Sequence, residues 1–342
     1  MKPKLEDVAK KANVSLTTAS MVLSGKGRIS PETREAVLEA AGSLGYEKRV
    51  KMRRGNRKSF TNIAIFVSID PEWAFIWHFV RPIFSEIEAI LRRENYNVIL
   101  MPLSSDQSNE DILQKISGAG VGAVVSMHYG NEPLFNVLEG MGIPVVVVMN
   151  GKFQDKFYSV CVDDFQGAYE AGLHLIKLGH REIAYVASER PDLPALMSDR
   201  YIGLKKALDE YNIELHDDQI ITFNLNDMEA LREKLSVLFS GPNKPTAFFC
   251  LDDDIALRLV NALFDFNIRI PEEMSVIAPG DVLDYKQPQI PKITTMKINT
   301  TLLGKIAADL LLSRLQNTHD DIHVLKVKQQ LVKRASCAPP PD

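Results

Sequence analysis

The chain opens with three short stretches of helical apolar spacing. Leu5, Val8, Ala9 and Ala12 recur three and four residues apart and place one apolar stripe on a first helix. After Asn13-Val14, Ser15 stands where an N-cap would, accepting from the free amides of the next turn. Ala19, Val22 and Leu23 then form the buried side of a second helix and leave Leu16, Thr17, Ser20 and Met21 pointing outward. Gly25 and Gly27 stop that helix. Ser30-Pro31-Glu32-Thr33 starts a third, with Ser30 as cap and Pro31 at the first helical position, where its missing amide is harmless. Val37, Leu38, Ala41 and Leu44 give it a core face. Three short helices in about 45 residues, the first two joined by a tight turn, have the layout of a helix-turn-helix DNA reader.

From Lys48 to Ser59 the chain reads KRVKMRRGNRKS, poor in apolar residues, and is expected to be a linker. From Asn62 onward short apolar runs alternate with amphipathic stretches. IAIFV (63–67), YNVILM (96–101), VGAVVSM (121–127), IPVVVVM (143–149) and YSVCV (158–162) predict buried strands, with helices near 80–94, 109–118 and 132–141. The pattern then repeats in REIAYVA (181–187), QIITF (219–223), TAFFCL (246–251), MSVIA (274–278) and ITTMK (293–297), with helices near 166–178, 199–211, 227–239 and 253–266. Such alternation predicts an α/β class: two successive lobes, each a parallel sheet covered on both faces by helices. The expected boundaries are a helical head over 1–46, a basic hinge over 47–61 and a core over 62–342. Within the core, the first lobe is expected over 62–162 plus the segment near 280–297, and the second over 163–279 plus the C-terminal part. Ligands of such lobes sit beyond the carboxyl ends of the strands, so the cleft between them is the expected pocket.

Charge sharpens this division. Residues 1–60 hold 14 Lys and Arg against 6 Asp and Glu, a balance of +8, which leaves −12 on the remainder. Basic residues can simply solvate helix faces, but their coincidence with a helix-turn-helix pattern points to phosphate contacts on a nucleic acid. With 45% apolar and 25% charged residues, a folded globular protein is expected. There is no early apolar run with a cleavage-like site and no span of 18 uninterrupted apolar residues, so a cytoplasmic location away from any membrane is expected. Cys161, Cys250 and Cys337 are widely spaced and read as reduced, buried thiols, and the seven histidines form no metal spacing. An enzyme is not expected: GxSxG and GxxxxGK[ST] are both missing, and Asp252-Asp253-Asp254 by itself reads as a capping and solvated acidic run. No cofactor is implied.

Several segments in order carry a family resemblance: EDVAKKANVSLTTASMVLSGKGRISPETREAVLEAAGSLGY at the start, VDDFQGAYEAGLHLIKLGHREIAYVA in the middle, IPEEMSVIAPGD and ITTMKI later, and LVKRASCAPP at the tail. On these the chain resembles the LacI/GalR family of transcriptional regulators from end to end. The resemblance implies a homodimer whose DNA heads are joined by hinges to periplasmic-binding-protein-like cores. Its partners would be a pseudo-palindromic double-stranded operator and a small effector, a sugar or related metabolite, that alters operator affinity; repression is the implied direction. The competing classes are a cytoplasmic small-molecule-binding protein and an architectural DNA-binding protein without effector control.

The resemblance also assigns residues. Leu16, Thr17 and Met21 match the base-reading positions of the second helix, with Thr18 and Ser20 placed for the phosphates and the cap residue Ser15 counted among the DNA-binding residues. Many members carry Arg where this chain has Met21; Met cannot make the bidentate pair to guanine, so that base would be read by apolar contact or loosely. The alternative for Met21 is packing against the first helix. Lys26 and Arg28 suit phosphates. Arg200 in SDRYIGLKKAL matches the family's arginine that grips a hydroxyl or carboxylate, the alternative being a surface ion pair. Asp252 and Asp253 match the family's polar pair at a strand end, and Asp164 is a similar candidate. Trp73, Phe75, Trp77 and Phe79 fall where members stack an aromatic ring on the ligand, with lobe core or dimer interface as the alternatives. The family's Gly-aromatic-Asp-Asp becomes Ala278-Pro279-Gly280-Asp281, so only Asp281 keeps its carboxylate. In the hinge, Arg53 falls on the family's Arg and Gly55 on its minor-groove wedge Leu. A glycine there implies a hinge that holds DNA mainly by charge, with Arg53 or Arg54 in the minor groove, unless Val50 or Met52 takes over as wedge.

Overall fold

The computed structural model describes residues 5–22, 29–44, 61–69, 77–189, 196, 198–281, 291–316 and 321–341. The chain divides into two compact units, Met1–Ser59 and Phe60–Asp342. Lys26, Arg28, Arg53, Arg54, Gly55, Trp73 and Phe75, with Leu23 and the loop glycines Gly25 and Gly27, lie outside the described residues.

The first unit holds α1 (Leu5–Lys11), α2 (Leu16–Val22) and α3 (Pro31–Leu44). Val8, Ala9, Ala19, Val22, Val37, Ala40 and Ala41 form its small core. Asn13 turns the chain between α1 and α2 in the left-handed region (φ 51°), which asparagine tolerates better than most residues. Ser15 Oγ accepts from the Thr18 N–H at 3.0 Å and Ser30 Oγ from the Thr33 N–H at 3.3 Å, so both expected caps are made.

The second unit contains two lobes. In the first, β1 (Asn62–Ser68), β2 (Asn97–Leu103), β3 (Val121–Met127), β4 (Val145–Val148), β5 (Tyr158–Val162) and β11 (Val324–Val327) form one sheet in the order β2-β1-β3-β4-β5-β11, parallel throughout. It is covered by α4 (Trp77–Arg93) and α11 (Thr300–Gln316) on one face and by α5 (Asn109–Gly118) and α6 (Glu132–Gly140) on the other. The second sheet runs β7 (Ile220–Phe223), β6 (Ile183–Ser188), β8 (Ala247–Cys250), β9 (Ser275–Gly280), β10 (Thr294–Lys297), β12 (Gln330–Val332), with only β12 antiparallel to its neighbour. Its faces carry α7 (Asp164–Leu178) with α8 (Asp199–Glu210), and α9 (Met228–Ser240) with α10 (Asp253–Asp265). Strands β4, β5, β6 and β8 are buried along their whole length, which is why they read as unbroken apolar runs.

The chain crosses between the lobes three times: from Val162 to Asp164, from Lys297 to Thr300 and from Val327 to Gln330. This corrects the expected lobe boundaries. Of the segment near 280–297, Thr294–Lys297 does not return to the first lobe, because it pairs with Ile277–Gly280 of β9 in the second sheet. The elements that return are α11 and β11. Gly304 is the reason α11 fits so closely: a Cβ there would stand 2.6 Å from the Ile83 carbonyl of α4.

Cys161 and Cys250 are buried and Cys337 is half-buried; burial pushes the Cys161 and Cys337 thiols up to about 11 and Cys250 well above the ordinary range. Among the described residues no cluster of three His, Cys, Asp or Glu could hold a metal, and no helix is long and apolar enough to cross a membrane.

Candidate functional site

In the first unit, α2 buries Ala19 and Val22 and turns its other face outward. Leu16 is 47% and Met21 42% exposed, and Thr17 is exposed beside them. Met21 is therefore not consumed by packing against α1. The Ser15 and Thr18 hydroxyls are 2.8 Å apart, and together they close the amino end of the helix; Ser20 lies on the same helix.

In the second unit, charged residues gather at the carboxyl ends of the second sheet, next to the first crossing. Close helix packing builds this cluster. At Gly203 a Cβ would lie 2.2 Å from the Phe165 carbonyl, so only glycine lets α8 press onto the start of α7. That approach brings Arg200, in the first turn of α8, to Asp164, the first residue of α7. Arg200 Nε donates to Asp164 Oδ1 at 2.9 Å and Nη1 donates to the Leu251 carbonyl at 2.5 Å. Burial opposes the Arg200 charge, but Asp164 and Asp252 outweigh it and raise its pKa further. No other hydrogen bond leaves the guanidinium among the described residues, so the Nη2 edge of the fork keeps its donors.

Asp252 sits one residue past Leu251 and caps α10, its carboxylate accepting from the Ile255 N–H at 3.0 Å. Burial lifts its pKa above the usual carboxylate range, against the opposing pull of that bond and of Arg200. The ion-pair alternative for Arg200 and its ligand role are thus not exclusive: the pair with Asp164 aims the fork.

Asp253 and Asp281 meet each other instead. Asp253 is 2% exposed and accepts the Asp281 N–H at 2.5 Å. Gly280, at φ 143°, makes this possible, since a Cβ there would stand 2.5 Å from the Asp253 carboxylate. A side chain at position 280 would therefore collide with Asp253. Asp281 bonds Arg334 and lies 3.4 Å from the Lys297 ammonium, so it serves both cations. Trp77 and Phe79 open α4 in the first lobe. Trp77 is 44% exposed; Phe79 is a member of the lobe core, the alternative left open for it, and its ring is withdrawn from solvent.

Three residues of the cluster escaped the reading of the sequence. Ser198 caps α8, accepting from the Tyr201 N–H at 3.2 Å, and its hydroxyl is 3.3 Å from the Tyr185 hydroxyl, whose pKa burial pushes up to about 12. The Ser-x-x-Tyr spacing before a helix could have located Ser198. Gln329, on the third crossing, donates from Nε2 to Asp164 Oδ1 at 2.9 Å, and nothing in KVKQQLV marks it.

Comparison with known proteins agrees with this architecture. The family model for bacterial regulatory proteins of the lacI family matches residues 4–48, and the model for the periplasmic binding protein-like domain matches residues 173–337; between them they cover more than half the chain. The HTH-type transcriptional repressor PurR of Shigella sonnei is 29% identical over 341 residues, covering 98% of this chain and 97% of that protein. Among solved structures, the complex of the transcriptional regulator CelR with cellobiose superposes with a TM-score of 0.69 at 26% identity, covering 98% of this chain and 99% of that one. A LacI family transcriptional regulator from Enterococcus faecium with bound ribose gives 0.64 at 28% identity, covering 81% and 99%. With a helix-turn-helix head, two parallel-sheet lobes and relatives that are regulators rather than enzymes, the chain belongs to the lacI family of bacterial transcriptional regulators.

Proposed function

We propose that this regulator is a cytoplasmic homodimeric repressor that binds a pseudo-palindromic operator and is controlled by a neutral, polyhydroxylated effector, a sugar or close relative, held against Arg200 and Asp252. In this reading residues 1–46 read DNA, 47–61 act as a basic hinge and 62–342 bind effector and pair the subunits. Leu16, Thr17 and Met21 meet bases, while Ser15, Thr18, Ser20, Lys26, Arg28, Arg53 and Arg54 serve the backbone and minor groove.

One observation carries the effector class. Arg200 has a free fork edge, yet its charge is already balanced by Asp164 at 2.9 Å, with the Asp252 carboxylate also nearby. A carboxylate or phosphate entering there would meet two carboxylates for one guanidinium; a hydroxyl can take a bond from Arg200 and give one to Asp252. Relatives at 26% and 28% identity are described with cellobiose and ribose, which accords with that chemistry. The test is selection of an operator from a random library with the full chain, followed by gel shifts on that site in the presence of cellobiose, ribose and a panel of neutral and anionic sugars. Release by a neutral sugar supports the reading. A response confined to sugar acids or phosphates would overturn it.

A further inference from the structure

Gln329 occupies a seat that three neighbouring residues of α7 build for it. Its side chain is 5% exposed and lies on the third crossing, between β11 in the first sheet and β12 in the second. Its Nε2 donates to Asp164 Oδ1 at 2.9 Å and, more weakly, to the Asp163 carbonyl at 3.4 Å. Its backbone N–H donates to Gln166 Oε1 at 3.1 Å. Both acceptors of the side chain can only accept, so the nitrogen of the amide must face them. The third contribution is a bare surface: a Cβ at Gly167 would fall 2.4 Å from the Gln329 carboxamide carbon, so the seat exists only because residue 167 is glycine. Gln329 Oε1 is buried with no hydrogen-bond partner among the described residues, so the amide is held from its nitrogen side alone.

The oxygen that Gln329 holds is the oxygen that holds Arg200. Asp164 Oδ1 accepts from Gln329 Nε2 and from Arg200 Nε, each at 2.9 Å. Asp163 N–H in turn donates to the Val327 carbonyl at 2.9 Å, so the first and third crossings are tied both by backbone and by this side chain. We infer that Gln329 is a positioning residue for the effector site: it fixes the Asp164 carboxylate, and through it the open fork of Arg200, while fastening the third crossing to the first. Movement of the lobes about the crossings then reaches Arg200 directly. This rests on the proposal that Arg200 grips the effector, but its test needs no effector.

The test reads the Arg200 side-chain Nε–H in the full-length protein by nitrogen-proton correlation spectra, identified by its disappearance in Arg200→Lys. In Gln329→Leu, Asp164 loses one of its two donors, and the Arg200 Nε–H should shift and exchange with water about tenfold faster. Gly167→Ala should do the same by filling the seat. Gln329→Glu separates positioning from general loosening. A protonated Glu can donate to Asp164 and an ionised one repels it, so the wild-type signal should return near pH 5 and be lost near pH 8, while Gln329→Leu stays altered at both. An Arg200 signal unchanged in Gln329→Leu and Gly167→Ala, or a Gln329→Glu signal insensitive to pH, would overturn the assignment. If the signals behave as expected but no sugar binds, the positioning role stands and only the effector reading falls.

Discussion

Arg200 in the second lobe and Arg314 in the first are withdrawn from solvent to nearly the same degree, 15% and 19% of the side chain exposed, yet they are used differently. Arg314 closes its fork. It bonds both oxygens of Glu139, at 2.5 and 2.6 Å, donates to the Val145 carbonyl at 2.9 Å and lies 4.3 Å from the centre of the Tyr158 ring. Arg200 spends one N–H on Asp164 and one on Leu251 and, among the described residues, leaves its second terminal nitrogen without a partner. In Arg314 both terminal nitrogens are engaged and the fork is filled by one carboxylate, whereas in Arg200 only one of the two is engaged among the described residues.

The sharpest way to break this comparison is to remove each arginine. Arg314→Ala should cost about 3 kcal/mol of stability, because the partly buried Glu139 keeps only the Val145 N–H and loses its counter-charge, and the ring contact is lost. Urea unfolding measures it, and sugar response in the folded protein should persist. Arg200→Ala should cost less, about 1–2 kcal/mol, since Gln329 still serves Asp164. It should, however, uncouple sugar from operator release while leaving sugar-free DNA affinity intact, as linkage requires. Calorimetry giving equal sugar affinity in wild type and Arg200→Ala would erase the distinction.

The same test of open against closed side chains extends to the head. Met21, exposed on α2, should behave as an open residue: Met21→Arg should shift one base per half-site toward guanine, with discrimination of about 1–3 kcal/mol in a random-site selection. Unchanged selection would return Met21 to a packing role.

His180 is the closed extreme and predicts the smallest effect. Its Nδ1 is 2.8 Å from Thr246 Oγ1, and its Nε2 lies 3.0 Å from Ser275 Oγ and 2.9 Å from the Ala338 carbonyl. Burial lowers its pKa despite the bond to Ala338. The unfolded chain then binds a proton that the folded one resists. Stability present above the ordinary histidine pKa of about 6.5 is lost as pH falls below it. His174, lowered by burial and by Lys333, acts in the same direction. His180→Gln should flatten part of the slope in thermal melts between pH 5 and 7.

The legibility of these features in the sequence follows their geometry. Every described strand up to Lys297 could be read, because β3 to β6 and β8 to β9 are largely apolar runs of the kind that a sheet covered on both faces buries. The return of α11 and β11 could not. TTLLGKIAADLLLSRLQ has Leu302, Ile306 and Leu312 flanking its polar stripe, which blurs the helical pattern, and β11 is an edge strand with Val324, Leu325 and Lys326 exposed. The site divides in the same way. Arg200, Asp164 and Asp252 occupy element starts that a family pattern marks. Gln329 acts across 165 residues on Asp164, and Glu139 across 175 on Arg314, separations over which local spacing says nothing.

The threefold crossing has a consequence for synthesis. The first sheet needs α11 and β11 and the second needs β10, β12 and Ser336, which bonds β9, so neither lobe is whole until the residues from Val324 to Ser336 have left the ribosome. The helical head is complete within the first 44 residues. A prematurely ended chain therefore carries a finished DNA-reading unit on two unfinished sheets with exposed apolar faces, a state that proteases and chaperones recognise. The interleaving thus couples the survival of the DNA-binding head to completion of both lobes, and disfavours the accumulation of a head without its core.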